Sequence, residues 1–239
     1  MISFFRSKKP FQSPLHTDMH SHLLAALDDG VKTHDEALEL IRHFYSLGYR
    51  KLITTPHIMS DYYRNDPEQI KQKLAELKDQ LVKENIAMEI EAAAEYYLDE
   101  ELLKKIEAHE PLLTFGKSYF LFETNFLNEP YQLKDFIFKA ITQGYKPILA
   151  HPERYGYMTM EKAEELRDRG VLLQINIPSI IGFYSKPIQR LAIKLIEKGW
   201  VDLLGSDCHN LLYMNLLENA IQDKNFRKAV DLPLLNNSL

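Results

Sequence analysis

The alternation of short apolar β-rich runs with amphipathic helical segments constrains the fold of this chain more than any other sequence feature. Seven runs have the composition of strands: Leu15–His20, Arg50–His57, Ala87–Tyr97, Ser118–Asn125, Lys146–Glu153, Gly170–Pro178 and Trp200–Asp207. The clearest helical segments are Thr33–Tyr49, Asp66–Asn85, Tyr131–Tyr145, Thr159–Gly170 and Lys186–Trp200. Such alternation predicts a parallel sheet covered by helices. With 239 residues, a closed α/β barrel is favoured, and a doubly wound open sheet is the alternative.

Several of these helices carry start and stop signals. Thr33 with Glu36 has the pattern of a capping box, and Asp66-Pro67 places an N-cap residue before a proline at the first helical position. Glycines follow the predicted helix ends at Gly48, Gly144, Gly170 and Gly199. These signals give about seven β–α units.

Six of the seven predicted strands end in an imidazole or a carboxylate. These residues are His20 and His22, His57, Glu95, Glu123, His151, and Asp207 with His209. Active sites of α/β barrels form at the carboxyl ends of the strands, where residues distant in sequence converge. Side chains two residues apart in a strand share a face, so His20 and His22 can both point inward, as can Asp207 and His209.

The convergence of these residues predicts a metal site, although each motif alone also has an ordinary structural explanation. Burying so many imidazoles and carboxylates without cations would be very costly. Asp29, in the Asp-Asp-Gly stretch after the first histidine pair, is a further candidate ligand. Nine ligands without a thiolate fit a cluster of two or three Mn, Fe or Zn ions. The remaining histidines are interpreted as surface or helix residues: His16, His34, His43 and His109.

Charge at this site indicates a phosphate-containing substrate. Three divalent ions would bring six positive charges against four carboxylates, those of Asp29, Glu95, Glu123 and Asp207. Arg154, three residues after His151, adds another positive charge at the rim. A site with this balance attracts phosphate, and metal clusters of this kind generate hydroxide at neutral pH.

Composition excludes several other classes of protein. A net charge of −5 gives no large basic field for nucleic acid. No apolar run is long enough to span a membrane, and the first residues lack the features of a signal peptide. We therefore expect an N-terminal arm (1–16) followed by one domain (17–239) without membrane insertion. The single cysteine, Cys208, excludes an intrachain disulfide framework and suits the cytoplasm.

The ordered motifs H-x-H with "DDG", then "TPH", an inner-strand Glu, "FET", "HPER" and "SDCHN" closely resemble the polymerase and histidinol phosphatase (PHP) superfamily. Within it, the chain is similar to the bacterial manganese-dependent protein tyrosine phosphatases of capsule and exopolysaccharide operons. The match runs from about Thr17 to beyond Asn210. The resemblance implies an α/β fold, a distorted TIM-like (β/α)7 barrel. It also implies hydrolysis of phosphotyrosine by a metal-bridging hydroxide.

The resemblance further implies three divalent ions, with Mn expected and Fe or Zn as alternatives. Carried onto this sequence, one ion would be held by His20, His22, Glu95 and Asp207. A second would be held by the bridging Glu95 with Glu123 and His151, and a third by Asp29, His57 and His209. Arg154 would bind the substrate phosphate and, with Asp207 and His209, form the catalytic set. The implied substrate is a phosphotyrosine tail on a bacterial tyrosine kinase that controls polysaccharide export.

The sequence departs from its relatives in two places. Gram-positive relatives usually carry a second Arg shortly after the "SDxHN" motif, whereas this chain has no basic residue between His209 and Lys224. Phosphate binding would then depend more on the metals and Arg154, or on a Lys from elsewhere. The segment before Thr17 is also longer than in many relatives.

Other functions compete with this interpretation. A PHP phosphoesterase of a small molecule, such as histidinol phosphate or a nucleotide, would use the same metals. A catalytically dead, metal-stabilised scaffold would usually lack ligands, and none is missing here. A cysteine-dependent tyrosine phosphatase is excluded because Met214, not Arg, stands six residues after Cys208. Five tyrosines either line a cleft for a phosphotyrosine ring or pack loops: Tyr62, Tyr63, Tyr96, Tyr97 and Tyr155.

Overall fold

The computed structural model describes residues 12–239. The strands are β1 (Thr17–Asp18), β2 (Lys51–Thr54), β3 (His57–Ile58), β4 (Glu89–Ala92), β5 (Glu95–Tyr97), β6 (Tyr119–Glu123), β7 (Lys146–Ala150), β8 (Leu172–Asn176) and β9 (Leu203–Gly205). The helices are α1 (His34–Ser46), α2 (Pro67–Lys83), α3 (Glu100–Glu107), α4 (Leu133–Thr142), α5 (Met160–Asp168), α6 (Ile177–Ile180), α7 (Lys186–Glu197), α8 (Leu211–Ile221) and α9 (Lys224–Val230). Short 3₁₀ helices span Pro152–Arg154 and Leu235–Ser238.

Two of the predicted strands are interrupted, and their pairing continues across the interruptions. The named strands pair in parallel in the orders β1-β2-β4 and β3-β5-β6-β7-β8-β9. Between these ladders, the Ala93 N–H donates to the Thr54 carbonyl (2.9 Å) and the Glu95 N–H donates to the Pro56 carbonyl (3.1 Å). β2 with β3, and β4 with β5, therefore each act as one bent strand, and seven strand positions result.

The first and last strand positions join, so the sheet closes as predicted for a barrel. The Asp207 N–H donates to the His20 carbonyl (2.8 Å), and the His22 N–H donates to the Cys208 carbonyl (2.9 Å). Below this junction, the Ser206 N–H and hydroxyl donate to the buried carboxylate of Asp18. The α/β barrel prediction is confirmed, and the open-sheet alternative does not apply.

The barrel interior is filled by apolar side chains beneath the polar rim. Successive strands contribute the buried residues Met19, Ile53, Ala93, Leu121, Ile148, Ala150 and Leu203. Leu235 and Leu239 of the C-terminal segment pack against this cluster, and the buried Asn236 amide bonds to the backbone carbonyls of Thr17 and Leu204. A larger apolar layer lies between the sheet and the surrounding helices. This packed apolar layer supports the side chains at the carboxyl rim.

Helix boundaries largely follow the predicted signals. Asp66 and Gln69 form a complete capping box at α2. Thr33 caps α1 as predicted, but the Glu36 carboxylate accepts from the N–H of Lys32 instead of completing the box. The glycines predicted to end helices adopt positive φ: Gly48, Gly144, Gly170 and Gly199. Helices α3, α6, α8 and α9 are additional to the five segments named from the sequence.

The predicted N-terminal arm falls mostly outside the described residues, which begin at Gln12. In the part that is described, the Ser13 N–H donates to the Leu47 carbonyl at the end of α1 (2.7 Å), and Leu15 is buried. These residues dock against the barrel and lead directly into β1. Across residues 12–239, none of the helices has the length and apolarity needed to cross a bilayer.

Candidate metal centre

All nine predicted ligand residues meet at the carboxyl end of the barrel. His20 and His22 follow β1, and His57 and Glu95 begin β3 and β5. Glu123 ends β6, His151 follows β7, and Asp207 and His209 follow β9. Asp29, in the loop before α1, is the exposed member, with 53% of its side chain accessible to solvent. The other eight side chains are buried or nearly so.

The ligand atoms form three overlapping groups, within each of which they lie no more than 4.8 Å apart. The groups are His22, Asp29, His57 and His209; His20, His22 and Glu95; and His57, Glu95 and Glu123. His151 Nε2 lies 3.0 Å from Glu95 Oε1, and Asp207 Oδ1 lies 3.4 Å from His20 Nε2. The nine residues therefore form one continuous cluster in which Glu95 is central. His57 lies closer to Glu95 and Glu123 than the implied ligand grouping anticipates.

Four of the imidazoles present Nε2 to the cluster because Nδ1 is bound behind. Nδ1 lies 2.8 Å from Gln174 Oε1 in His20, 2.7 Å from Asp28 Oδ2 in His22, 3.2 Å from the same oxygen in His57, and 2.8 Å from the Asp207 carbonyl in His209. These partners only accept, so Nδ1 carries the proton and a neutral ring keeps its lone pair on Nε2.

The Nε2 lone pairs point at one another and at carboxylate oxygens. His20 Nε2 lies 3.4 Å from His22 Nε2 and 3.1 Å from Glu95 Oε2. Facing lone pairs and carboxylates are compatible only when positive charge lies between them. Imidazole with carboxylate is a donor set that divalent Mn, Fe and Zn accept. The residues present therefore fit a cluster of divalent ions.

Asp28 has a structural role that the sequence analysis did not assign. It is buried, and its Oδ2 accepts from His22 Nδ1 and from the backbone N–H of His57 (2.9 Å). Burial opposes its ionisation, but His22 and His57 hold the pKa of Asp28 well below its usual range. A carboxylate behind a ligating imidazole fixes the tautomer and orientation of the ring.

Gly30 completes the role of the Asp-Asp-Gly stretch. A Cβ atom at this position would lie 2.2 Å from the His22 carbonyl oxygen and 2.5 Å from its Cβ. The Gly30 N–H also donates to Asp28 Oδ1 (3.0 Å). The three residues thus supply an orienting carboxylate, a candidate ligand and a position where only glycine fits against His22.

Burial and mutual repulsion give Glu95 and Glu123 different pKa values. Burial and the neighbouring Glu95 carboxylate raise the pKa of Glu123 to about 8. Burial also disfavours ionisation of Glu95. In the metal-free protein, imidazoles that carry a proton on Nε2 donate to Glu95, and these bonds and the charge of His20 hold the pKa of Glu95 well below its usual range. Burial lowers the pKa of His151 to about 4, which keeps this imidazole neutral and able to act as a ligand.

Arg154 lies beside the cluster and packs against two aromatic rings. Its guanidinium carbon lies 4.8 Å from the ring centroid of Phe126 and 4.4 Å from that of Tyr184. Its Nη1 lies 3.2 Å from Asp207 Oδ2. Contacts with two aromatic rings and a carboxylate restrict the orientation of the planar fork. Neither ring was identified from the sequence.

The cluster opens into a cleft of about 430 Å³ whose wall is partly aromatic. Of the five tyrosines considered in the sequence, Tyr62 and Tyr63 line this cleft. Tyr96 and Tyr155 are buried and their hydroxyls bond to backbone groups, so these two belong to the packing. Tyr213 and Phe126 are further aromatic residues of the cleft wall.

The predicted strand without an imidazole or carboxylate supplies two amides. Gln174 and Asn176 of β8 are buried and bond to His20 and Asp207. Two amides spaced two residues apart in an otherwise apolar strand are the signal that could have identified them.

The remaining histidines lie away from the cluster, as predicted. His16 and His109 are exposed, and His34 and His43 lie on α1 beside Glu76 and Glu218. Cys208 is buried, points away from the cluster and contacts the Met214 sulfur at 3.5 Å.

Comparisons with known proteins place the chain among proteins of capsule synthesis. Residues 16–215 match the profile of a family described as capsular polysaccharide synthesis, CpsB/CapC. The CapC protein of Staphylococcus aureus is 30% identical over 81% of this chain and 77% of its own length. The tyrosine-protein phosphatase YwqE of Bacillus subtilis is 27% identical over 83% of this chain and 79% of its own length.

Solved structures share the fold. A chain from the crystal structures of YwqE from Bacillus subtilis and CpsB from Streptococcus pneumoniae, described as unique metal-dependent tyrosine phosphatases, superposes with a TM-score of 0.79. It is 24% identical and covers 93% of this chain and 94% of its own. A histidinol phosphate phosphatase from Lactococcus lactis, 14% identical, superposes with a TM-score of 0.51 over 90% of this chain and 93% of its own.

Proposed function

Because the chain belongs to the capsular polysaccharide synthesis CpsB/CapC family, we propose that it is a metal-dependent protein tyrosine phosphatase. The observation that carries this proposal is the convergence of Nε2 lone pairs and carboxylate oxygens beside Arg154. A cluster of cations and a fixed guanidinium within one cleft form a site for the oxygens of a phosphate monoester.

We propose that three divalent ions, with Mn as the resident metal, are held by the nine clustered residues. The ligands are His20, His22, Asp29, His57, Glu95, Glu123, His151, Asp207 and His209. Divalent ions in such a cluster supply hydroxide at neutral pH and neutralise charge on phosphate oxygens. The buried Asp28 adds a fifth carboxylate, so three divalent ions would leave one positive charge, which Arg154 raises to two.

Arg154 orients the phosphate group in this proposal. The guanidinium offers donors in a planar arrangement that matches two phosphate oxygens. Asp207 accepts from Nη1 and so holds one edge of the fork, while Phe126 and Tyr184 pack against the guanidinium. A side chain restrained in this way loses little conformational entropy when it binds substrate.

The aromatic wall of the cleft suits the ring of phosphotyrosine. The ring centroids of Tyr63 and His57 lie 5.2 Å apart, and those of Tyr213 and His209 lie 5.3 Å apart. A substrate ring directed at the cluster would pass between such residues. The leaving phenolate has a conjugate pKa of about 10 in tyrosine, so its departure needs only weak assistance from an acid.

The substrate is proposed from the family description, and the location is proposed from the state of the single cysteine. The substrate we propose is a phosphotyrosine segment of a bacterial tyrosine kinase in polysaccharide synthesis, because the matching family concerns capsule synthesis. A cytoplasmic location is proposed because the lone cysteine is buried and unpaired, which suits a reducing compartment.

The test compares a phosphotyrosine peptide with histidinol phosphate on protein stripped by a chelator and refilled with Mn²⁺. We expect peptide turnover that disappears without metal and resists thiol-blocking reagents. Turnover of histidinol phosphate alone would replace the proposal with a small-molecule phosphoesterase. Absence of turnover with Mn²⁺, Fe²⁺ and Zn²⁺ would leave a metal-stabilised scaffold.

A further inference from the structure

Two buried amides connect Asp207 with His20 behind the candidate metal cluster. Asn176 Nδ2 lies 2.6 Å from Asp207 Oδ2, and Gln174 Nε2 lies 2.9 Å from Asn176 Oδ1. Gln174 Oε1 lies 2.8 Å from His20 Nδ1. All four residues are at most 2% exposed, so bulk water does not replace these bonds.

The ionised Asp207 fixes the direction of each hydrogen bond in the series from Asp207 through the two amides to His20. An ionised carboxylate only accepts, so Asn176 must present its amide nitrogen to Asp207. The Asn176 oxygen then accepts from Gln174, and the Gln174 oxygen is left facing His20. Reversing either amide would set two acceptors against each other at Asp207 or between the amides, which costs free energy in a buried site.

We propose that Gln174 and Asn176 form an amide relay that positions His20 for metal binding. The relay keeps the proton of His20 on Nδ1 and its lone pair on Nε2, which lies 3.4 Å from Asp207 Oδ1. His20 and Asp207, two ligands of the same proposed ion, are thereby linked behind the site as well as across it. The inference rests on the proposed metal-dependent function and goes beyond it by assigning residues that touch neither metal nor substrate.

The backbone around the relay leaves room for these bonds. A Cβ atom at Gly205 would lie 2.6 Å from the His20 Cβ and 2.7 Å from Gln174 Nε2. Gly205 on β9 therefore allows His20 and Gln174, which lie on the strand positions either side of β9, to approach each other. Asn176 is fixed independently, because its backbone N–H donates to Glu153 Oε1 (3.0 Å).

Tyr184 connects the relay to the phosphate-binding side of the cleft. Asn176 Nδ2 lies 3.2 Å from the Tyr184 hydroxyl, and that hydroxyl lies 3.3 Å from Asp207 Oδ2. Tyr184 also covers one face of Arg154. The relay thus shares Asp207 with the Arg154 guanidinium, so the proposed phosphate-binding residue and the relay meet at one carboxylate.

The experiment measures Mn²⁺ binding to chelator-stripped protein by the electron paramagnetic resonance signal of free Mn²⁺, without any activity assay. Gln174→Met, Asn176→Leu and the double variant form a mutant cycle. The matched control is Asn236→Leu, because Asn236 is a buried amide that bonds only to backbone groups. Circular dichroism of the metal-free proteins monitors folding.

We expect each relay variant to bind the tightest Mn²⁺ about 10- to 100-fold more weakly, as substitutions behind ligating histidines do. The double variant should lose much less than the product of the two single losses, because both break one relay. Asn236→Leu should lower thermal stability without changing Mn²⁺ affinity. In Zn²⁺-loaded protein, the ¹⁵N signal of His20 Nδ1–H should shift in Asn176→Leu, although Asn176 does not contact His20.

Other outcomes would overturn the relay in distinguishable ways. Wild-type affinity in Gln174→Met, within about threefold, would remove Gln174 from metal positioning. Multiplicative losses with an unchanged His20 signal in Asn176→Leu would reduce the two amides to separate packing residues. Wild-type protein that binds no Mn²⁺ would overturn the proposed function itself, and the relay with it.

Discussion

Arg154 Nη1 lies 3.2 Å from Asp207 Oδ2, so the proposed phosphate-binding cation directly contacts a proposed metal ligand. Burial disfavours the charge on Asp207, but His20, other nearby imidazoles and Arg154 hold the pKa of this carboxyl well below its usual range. Arg154 therefore serves two purposes in the proposed site. It offers donors to the phosphate and helps keep Asp207 ionised.

Arg154→Ala should lower kcat/KM for a phosphotyrosine peptide about 100- to 1,000-fold, chiefly through KM. Arg154→Lys should recover only part of this loss, because an ammonium keeps the charge but not the planar fork. Steady-state kinetics would measure both, with Arg190→Ala on the exposed face of α7 as the control. An unchanged KM in Arg154→Ala would remove this residue from the phosphate site.

His57→Ala should remove metal and most turnover while leaving the fold intact. His57 belongs to two of the three ligand groups, and its Nε2 lies 3.4 Å from Glu95 Oε2 and 3.6 Å from Glu123 Oε1. We expect turnover to fall more than about 100-fold. Asp207→Ala should also lose metal and turnover. His43→Ala, on the surface of α1, should keep both. Metal analysis and circular dichroism would measure the result, and retained turnover in both cluster variants would contradict the metal assignment.

The adjacent aspartates Asp28 and Asp29 should respond differently to the same isosteric change. Asp28→Asn disturbs two imidazoles at once, because Asp28 Oδ2 accepts from both His22 and His57. It should weaken Mn²⁺ binding about 10- to 100-fold and lower the melting temperature. Asp29→Asn removes a half-exposed carboxylate and should weaken one ion only, with little effect on the metal-free fold. Equal effects of the two substitutions on the metal-free melting temperature would argue against an orienting role for Asp28.

Glu153 should make the metal-free protein less stable as pH rises. Its Oε1 accepts from Asn176 N–H and from the Ser179 hydroxyl, its Oε2 has no partner, and burial raises the pKa of Glu153 to about 7 from 4.5. Between these pH values the native state holds a proton that the unfolded state has lost. The contribution is thus favourable below about pH 4.5 and declines as pH rises to about 7, by an amount on the order of 3 kcal/mol.

Glu153→Gln cannot ionise and should flatten this dependence. Urea unfolding of metal-free wild type and variant between about pH 5 and pH 8 would measure it, because other titrating groups are common to both proteins. The difference in unfolding free energy should shift in favour of the variant as pH rises. Parallel profiles would show that Glu153 ionises alike in both states.

Cys208 should be dispensable for turnover. Its thiol is buried against Met214, and burial raises the pKa of Cys208 well above its usual range, so no thiolate is available as a nucleophile. Cys208→Ala should keep kcat and cost about 1 kcal/mol of stability for the small cavity. Activity after treatment with iodoacetamide, with chelator-treated protein as the positive control for loss, would measure this. Loss of turnover in a folded Cys208→Ala protein would require a different mechanism.

The element order and most of the cluster could be predicted from sequence because their signals are local. Periodicity of apolar residues separates strands from helices within one or two turns, and glycines at positive φ end helices such as α1 and α4. His20 with His22, and Asp207 with His209, are short patterns that follow such strands. Parallel strands then bring these patterns to one rim, since all their carboxyl ends face the same way.

Some local inferences were nevertheless incomplete. The spacing argument for Asp207 and His209 assumes an extended strand, yet Asp207 has φ of 52° and follows the end of β9. His151 likewise has φ of 35°. Both side chains still reach the cluster, because the turn after each strand, and not strand alternation, directs them. Backbone conformations of this kind depend on contacts with neighbouring loops that no short sequence pattern records.

Only the tertiary structure decided which groups stand behind the ligands. Asp28 is distinguished from Asp29 by burial against His22. The β8 amide of Gln174 meets His20 only because the first and last strands close the barrel, whereas Asn176 meets Asp207 across the pairing of β8 with β9. Local sequence therefore determined the strands, the helices and the residue types at the rim. Several partners that set tautomers and acidity lie more than 25 positions away in sequence, as in the pairs His20–Gln174, His57–Asp28 and Asn176–Asp207. Their hydrogen bonds form only in a closed, water-excluding interior, where direction and distance decide the free energy.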